Sequence, residues 1–374
     1  MTSSARLLGS ADVVVIGAGI VGLAHAYAAS ERGLSVVVLE RDERATGASV
    51  RNFGHGCVTA QDGPALGYAL SAREHWLRLA KDAGFWLCES GTVVVARADD
   101  EYAVLNEFAG LRGGQVKLLD PAGVASRVPV GDGVVGGAVL PLDLRVDPRE
   151  AVHAIARLLA ERGVRFHWGT TAHVIEPGEV ATSRGRVRAG HVVVAVGHDV
   201  DRHFPELTER REVQRCSLRM LRVADPHGRE IEHAVLTGLS LLRYSGFEAC
   251  PSLAAVRARF EAEHPDLLAI GMNLMLTQLP GGDLTIGDTH SYQRTVDPYR
   301  REELDDRVLA ETARLLGVGA LTVRERWRGV YASAPEPFLV DSPAEGVRVV
   351  AVTSGIGMTT ALGLAPTVLD DLVS

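Results

Sequence analysis

Three glycines and one acid near the N-terminus have types and spacing that suit chemistry. Gly17-x-Gly19-x-x-Gly22 follows the apolar run Asp12–Ile16, and Glu40 stands twenty-three residues beyond Gly17. Each glycine answers a different constraint. Gly17 permits a tight turn, Gly19 lets backbone approach a pyrophosphate, and Gly22 lets a helix pack closely on a strand. The helix that starts near Ile20 then directs unpaired N–H groups at the phosphates. Glu40, followed by Arg41, closes the next buried strand, where its carboxylate can accept from both hydroxyls of an adenosine ribose. The expected ligand is a dinucleotide.

FAD and NAD share this fingerprint, and three features favour FAD. The glycine pattern occurs once. A second glycine turn, Gly355-Ile356-Gly357-Met358-Thr359, ends another buried strand and opens the last helix. Such a helix N-terminus suits the edge of a flavin that becomes anionic on reduction. Between them, the loop Thr46–Gly56 is small and polar, with Ala48, Ser49, Asn52, Phe53 and Gly54 expected along the pyrophosphate and ring. On composition alone the same loop also reads as a surface turn.

These motifs, with His191-Val-Val-Val-Ala-Val-Gly197, resemble the D-amino-acid oxidase, glycine oxidase and sarcosine oxidase superfamily over nearly the whole chain. The resemblance implies that Ala195 and Gly197 lie against the cofactor and that Val174 meets the adenine through its backbone. It also implies oxidation of a C–N bond, with hydride passing to the flavin and water hydrolysing the imine. Oxygen or another acceptor would reoxidise the flavin. Three departures stand out. Tyr331, in Trp327-Arg-Gly-Val-Tyr331, replaces an arginine that grips a substrate carboxylate. Val330 and Tyr331 leave no cysteine there for a flavin link, so attachment is expected to be non-covalent. Thr285 is the nearest match to a lysine that assists oxygen, which puts fast reaction with oxygen in doubt.

Ser49–Gly56, Gly287–Tyr292 and Trp327–Pro337 resemble a narrower subgroup associated with organophosphonate catabolism. That resemblance implies an aminophosphonate, such as an N-methylated or hydroxylated 2-aminoethylphosphonate. A phosphonate dianion needs several donors. Arg51, Arg243, Tyr244 and Tyr292 are candidates to bind it, and His290, Tyr331 and His55 to act nearest the chemistry. Taken singly, each is more often structural. The amine must react neutral, and a histidine, with His290 foremost, can take up its proton.

These residues need a frame to hold them. The chain has 374 residues, 46% hydrophobic and 23% charged, with net charge −8. That length favours two intergrown domains in a soluble globular protein. No basic tract suggests nucleic acid, and Val13–Ala29 reads as strand, glycine turn and helix rather than a membrane span. Four cysteines, outside any CxxC pair, suggest reduced thiols and a cytoplasmic location. No metal site is suggested, and the oligomeric state, monomer or homodimer, stays open.

Apolar runs at Asp12–Ile16, Leu34–Glu40, His191–Val196 and Val347–Thr353 read as strands buried on both faces. Val187–Ala189 reads as a separate strand, Leu241–Tyr244 as another, and Asn273–Leu279 with Asp283–Gly287 as a hairpin around Pro280-Gly-Gly282. Asp297-Pro298 reads as the start of a helix to Leu316. The expected fold is α/β, a Rossmann-like FAD-binding domain of glutathione-reductase type with an α+β substrate domain on a mixed or antiparallel sheet. The FAD-binding domain is expected at 1–63, 145–200 and 325–374, and the substrate domain at 64–144 and 201–324. Other readings remain: an FAD-dependent dehydrogenase of amines or hydroxy acids with an acceptor other than oxygen, a glycine, sarcosine or D-amino-acid oxidase, a flavin hydroxylase, whose Gly-Asp pattern Ile286-Gly-Asp-Thr-His290 superficially matches, and a non-enzymatic flavin-binding or tRNA-modifying module, which the lack of a basic patch disfavours.

Overall fold

The computed structural model describes residues 6–373. Short β-branched runs form the centre of an eight-stranded sheet. Leu7–Ile16 lies between Val36–Leu39 and Gly185–Val194, parallel to both. Val13 to Val15 and Val37 to Val38 expose no surface, as a strand covered on both faces requires. Val347–Val352 extends the parallel set beyond Gly185–Val194, and Arg165–His167 extends it beyond Val36–Leu39. Ala172–Glu176, Glu179–Thr182 and Phe338–Ala344 add antiparallel edges.

Four helices cover one side of this sheet and share one core: Ile20–Glu31, Gly63–Ala83, Pro148–Glu161 and Gly357–Val373. Gly363 shows how closely they pack, because a Cβ there would meet the Tyr68 carbonyl oxygen at 2.1 Å.

A second eight-stranded sheet runs Val323–Ser333, Gln214–Val223, Leu284–Gln293, Met275–Gln278, Ala234–Leu236, Thr92–Ala96, Gly136–Leu140, Lys117–Leu119. Only the pair Ala234–Leu236 and Thr92–Ala96 is parallel. The fold is thus the expected α/β unit with a mixed-sheet partner. The hairpin around Pro280 is present, and its second strand continues to Gln293. It does not turn into a helix after Gly287-Asp288, which removes the likeness to flavin hydroxylases.

Three expectations need correction. Val187–Ala189 and His191–Val196 are one strand, Gly185–Val194, because Gly190 lies close against the Asp12 carbonyl and the ladder passes through it. Leu241–Tyr244 is not a strand. A capping box of Thr237 and Ser240 starts the helical turn Gly238–Leu241 instead. Asp297-Pro298 does not open a helix. Arg328 donates to the carbonyls of Asp297 and Pro298 at 2.7 and 3.0 Å, and the helix begins at Glu302. Among the described residues, no helix is long and apolar enough to cross a membrane.

Candidate active site

The parallel strands end together at Ile16, Leu39, Val194 and Val352, and the chain after each enters the wall of one cavity of about 1020 Å³. Ligands of open α/β sheets bind at such carboxyl ends. The second sheet supplies the other wall through Leu218, Asp288, His290, Tyr292 and Gly329–Ser333.

One half of the cavity is shaped for a dinucleotide. Gly17 has φ of 105°, and a Cβ there would meet the Ala195 carbonyl oxygen at 2.4 Å. A Cβ on Gly22 would meet the Gly17 oxygen at 1.9 Å, so Gly22 serves packing and lies outside the cavity lining. Glu40 accepts from the Ala18 N–H at 2.8 Å and the Asp42 N–H at 3.0 Å, which fixes its carboxylate at the cavity. The Ile20 N–H donates to Ser49 Oγ at 2.8 Å, tying the loop to the helix start. Neither Ile20–Glu31 nor Gly357–Val373 has an acid in its first turn, so both helix ends favour an anion.

Arg41, Ala48, Asn52, Phe53, Ala195, Gly197, Gly355, Ile356, Met358 and Thr359 also line the cavity. Gly54 does not. Its Cβ would meet the Val146 carbonyl oxygen at 1.9 Å, so it allows two backbones to touch. Val174 lies outside too, 48% exposed, while Ala172 and His173 beside it form the wall.

At the other end, all seven polar candidates share the wall: Arg51, His55, Arg243, Tyr244, His290, Tyr292 and Tyr331. Arg243, just after the turn Gly238–Leu241, donates through Nη2 to Tyr331 Oη and to the Ser354 carbonyl, both at 3.0 Å. Burial opposes its charge, but Tyr331, Tyr292, Tyr244 and Asp288 outweigh this and raise its pKa. Burial also pushes the Tyr331 phenol well up, so it remains a neutral donor. A cation therefore reaches Tyr331 from a different element, which answers the arginine missing at position 331. Gly355, with φ of 80°, makes room, because a Cβ would lie 3.0 Å from the Tyr331 ring.

His290 Nδ1 lies 2.8 Å from the Gly271 carbonyl, which assigns the proton to Nδ1 and leaves Nε2 as the acceptor. His55 Nε2 lies 2.7 Å from Thr92 Oγ1 and 3.3 Å from Asp143 Oδ2. Cys57 joins His55 and Asp143 in a buried cluster whose ligand atoms lie within 4.8 Å. Asp143 is already satisfied there, because Val58 N–H, Thr59 N–H and Thr92 hydroxyl donate to it besides His55. The arrangement works as a hydrogen-bond network that orients His55. Thr285 is buried in its strand and does not line the cavity, and neither do the chain's two lysines, Lys81 and Lys117.

Sequence reasoning missed two acids. Asp199 accepts from Arg41 at 2.5 Å, Arg202 at 2.8 Å and Arg215 at 3.3 Å, joining the ends of both sheets. Its position just past Gly197, at a strand's carboxyl end, was the available signal. Asp288 lines the cavity from within Gly287–Tyr292, a segment whose resemblance and Gly-Asp pattern did not single out this acid.

A model of the DAO family, FAD dependent oxidoreductase, matches residues 12–370, and the chain belongs to that family. An opine oxidase subunit of Rhizobium meliloti is 26% identical over 52% of this chain and 58% of its own length. A D-amino acid dehydrogenase of Cereibacter sphaeroides is 26% identical over 79% of this chain and 64% of its own. The chain thus spans less than two thirds of these relatives. Glycine oxidase from Geobacillus kaustophilus has the same fold, with TM-score 0.77 and 20% identity over 97% of this chain and 94% of that one. The cofactor of the family is FAD, and the cradle fits it. Gly17 and Gly22 leave no room for a Cβ, neither helix has an acid in its first turn, and Glu40 is held at the cavity.

Proposed function

We propose that this chain oxidises the C–N bond of a small amine that carries an anionic group, with FAD held non-covalently and an aminophosphonate as the substrate class. The observation that carries this reading is Arg243. It is a half-buried guanidinium in the cavity wall, bonded through Nη2 to a neutral tyrosine and a carbonyl and in no salt bridge with a carboxylate among the described residues. A half-buried cation with no salt-bridge partner keeps donors free for an anionic ligand. Tyr331, Tyr292 and Arg51 add donors on the same wall, as a phosphonate with three oxygens needs.

The turn at Gly17, the start of helix Ile20–Glu31 and Glu40 would hold the adenosine diphosphate part of FAD. Gly355–Thr359 would meet the flavin edge. When bound, FAD supplies the acceptor for the hydride lost from the carbon beside nitrogen. Arg243 and Tyr331 bind and orient the anionic head, and His290 accepts a proton from the amine at Nε2, a role supported by the Nδ1 contact to the Gly271 carbonyl. The imine released is hydrolysed by water to an aldehyde and an amine or ammonia. The absence of any lysine from the cavity wall supports an electron acceptor other than oxygen. The reading includes the division into 1–63, 145–200 and 325–374 against 64–144 and 201–324. Helix Gly63–Ala83 packs on the parallel sheet and strand Val323–Ser333 belongs to the mixed sheet, so both cross this division. A cytoplasmic location goes with it, supported by four free cysteines.

The test is product analysis with an artificial electron acceptor. N-methyl-2-aminoethylphosphonate should yield an aldehyde, while sarcosine should yield no aldehyde and D-alanine no pyruvate. Aldehyde from sarcosine but not from the phosphonate would overturn the substrate class.

A further inference from the structure

Asp288 sits where few carboxylates sit. It is 4% exposed, it lines the cavity, and its Oδ1 has no hydrogen-bond partner among the described residues. The sheet itself puts it there. The ladder between Gln214–Val223 and Leu284–Gln293 pairs Leu218 with His290 but Met220 with Gly287. Strand Leu284–Gln293 therefore holds one extra residue at Asp288–Thr289, and such irregularities re-aim side chains. Asn273 clamps the spot, because the backbones of Asn273 and Asp288 exchange two hydrogen bonds of 2.9 Å.

The neighbouring cations do not satisfy the carboxylate. His290 Nδ1 is 3.8 Å from Oδ1, but its proton goes to the Gly271 carbonyl at 2.8 Å. Arg243 directs Nη2 at Tyr331 and Ser354. A buried carboxylate with an orphaned oxygen costs stability unless a donor arrives. Burial raises its carboxyl pKa, against the pull of His290, Arg243 and the Asn273 side-chain amide, which leaves Oδ1 as the unpartnered oxygen. The cavity wall thus carries a cation at one place and, at another, a carboxylate with one unpartnered oxygen.

We infer that Asp288 is the anchor for the substrate's cationic nitrogen, so that the site selects molecules with an ammonium at one end and an anion at the other. The inference rests on the amine-oxidising reading above and deepens it. It assigns the two ends to two residues, Arg243 for the anion and Asp288 for the nitrogen. It also explains selection against a hydroxy acid of the same shape, whose neutral hydroxyl gains less from a buried carboxylate.

The test uses the FAD-loaded enzyme and two ligands that cannot be oxidised at a C–N bond. One is 2-amino-2-methylpropylphosphonate, whose nitrogen-bearing carbon has no hydrogen. The other is 2,2-dimethylpropylphosphonate, in which a methyl replaces the ammonium. Affinities come from calorimetry and from perturbation of the flavin spectrum. The wild type should bind the cationic ligand about tenfold or more tightly than its neutral isostere. Asp288→Asn should bind both alike, with the neutral ligand's affinity unchanged, which also shows that the variant is folded. If Asp288→Asn keeps the preference, or His290→Gln rather than Asp288→Asn abolishes it, the inference falls while the amine reading stands. If the wild type shows no preference, or binds neither ligand, the reading of an anionic-amine site falls and takes this inference with it.

Discussion

Arg243 and Tyr331 carry most of the substrate argument at the scale of single residues. Arg243→Met removes a half-buried charge-assisted donor, worth about 1.5–3 kcal/mol. KM for an anionic amine should rise roughly 10- to 100-fold, with kcat changed far less, in steady-state kinetics. Tyr331→Phe removes one neutral partner of Arg243 and should cost about 1 kcal/mol, a several-fold effect on the same constant. Position 331 was legible as a departure from a family pattern. The compensating approach of Arg243 was not, because it depends on a helical turn that sequence reasoning took for a strand. Local side-chain capping by Thr237 and Ser240 decided that segment. Gly17 was legible down to its role, because a steric demand leaves a residue-type signature. Gly17→Ala, with φ of 105° and a Cβ 2.4 Å from the Ala195 oxygen, should give protein that loses its yellow colour or fails to fold.

Strand ends and the short segments after them position everything at the scale of elements. Asp199 lies in the turn Gly197–Arg202, after strand Gly185–Val194, and gathers arginines from three elements. Burial alone would raise its pKa, but Arg41, His198 and Arg202 outweigh burial and hold it at about 2. A folded pKa below the unfolded value gives stability above about pH 4 that is lost as pH falls through about 2. A shift of this size corresponds to roughly 2 kcal/mol. Asp199→Asn should lower Tm at pH 7, and the gap from wild type should close as melting is repeated from pH 5 towards pH 2. The long parallel strands were legible because apolar runs bounded by glycines have one reading. The helix expected at Pro298 was not, because Arg328 captures the carbonyls of Asp297 and Pro298 from thirty residues away. Such a tertiary contact leaves no local mark.

Two sheets meet across one cavity at the scale of the whole molecule, and the chemistry depends on what each contributes. The parallel sheet supplies glycine turns and helix ends for the cofactor. The mixed sheet and the turn beside it supply Arg243, Asp288, His290 and Tyr331. With no lysine on the cavity wall, the reduced enzyme should reoxidise slowly in air-saturated buffer and much faster with an artificial acceptor such as a quinone, followed by stopped-flow absorbance. In the cofactor half the glycine turns and Glu40 were readable because such motifs are local, whereas Asp199 was missed and Val174 and Gly54 lie outside the cavity lining. The substrate half was readable only as a set of candidates, since its members come from strands and turns far apart in the chain. The most direct test of the central claim is anaerobic mixing of the purified protein with a panel of amines while absorbance near 450 nm is followed. The panel holds glycine, sarcosine, D-alanine, 2-aminoethylphosphonate and its N-methyl and 1-hydroxy forms. Bleaching by the aminophosphonates and not by the amino acids is the result predicted here, and an oxidised spectrum that none of these amines changes would contradict it.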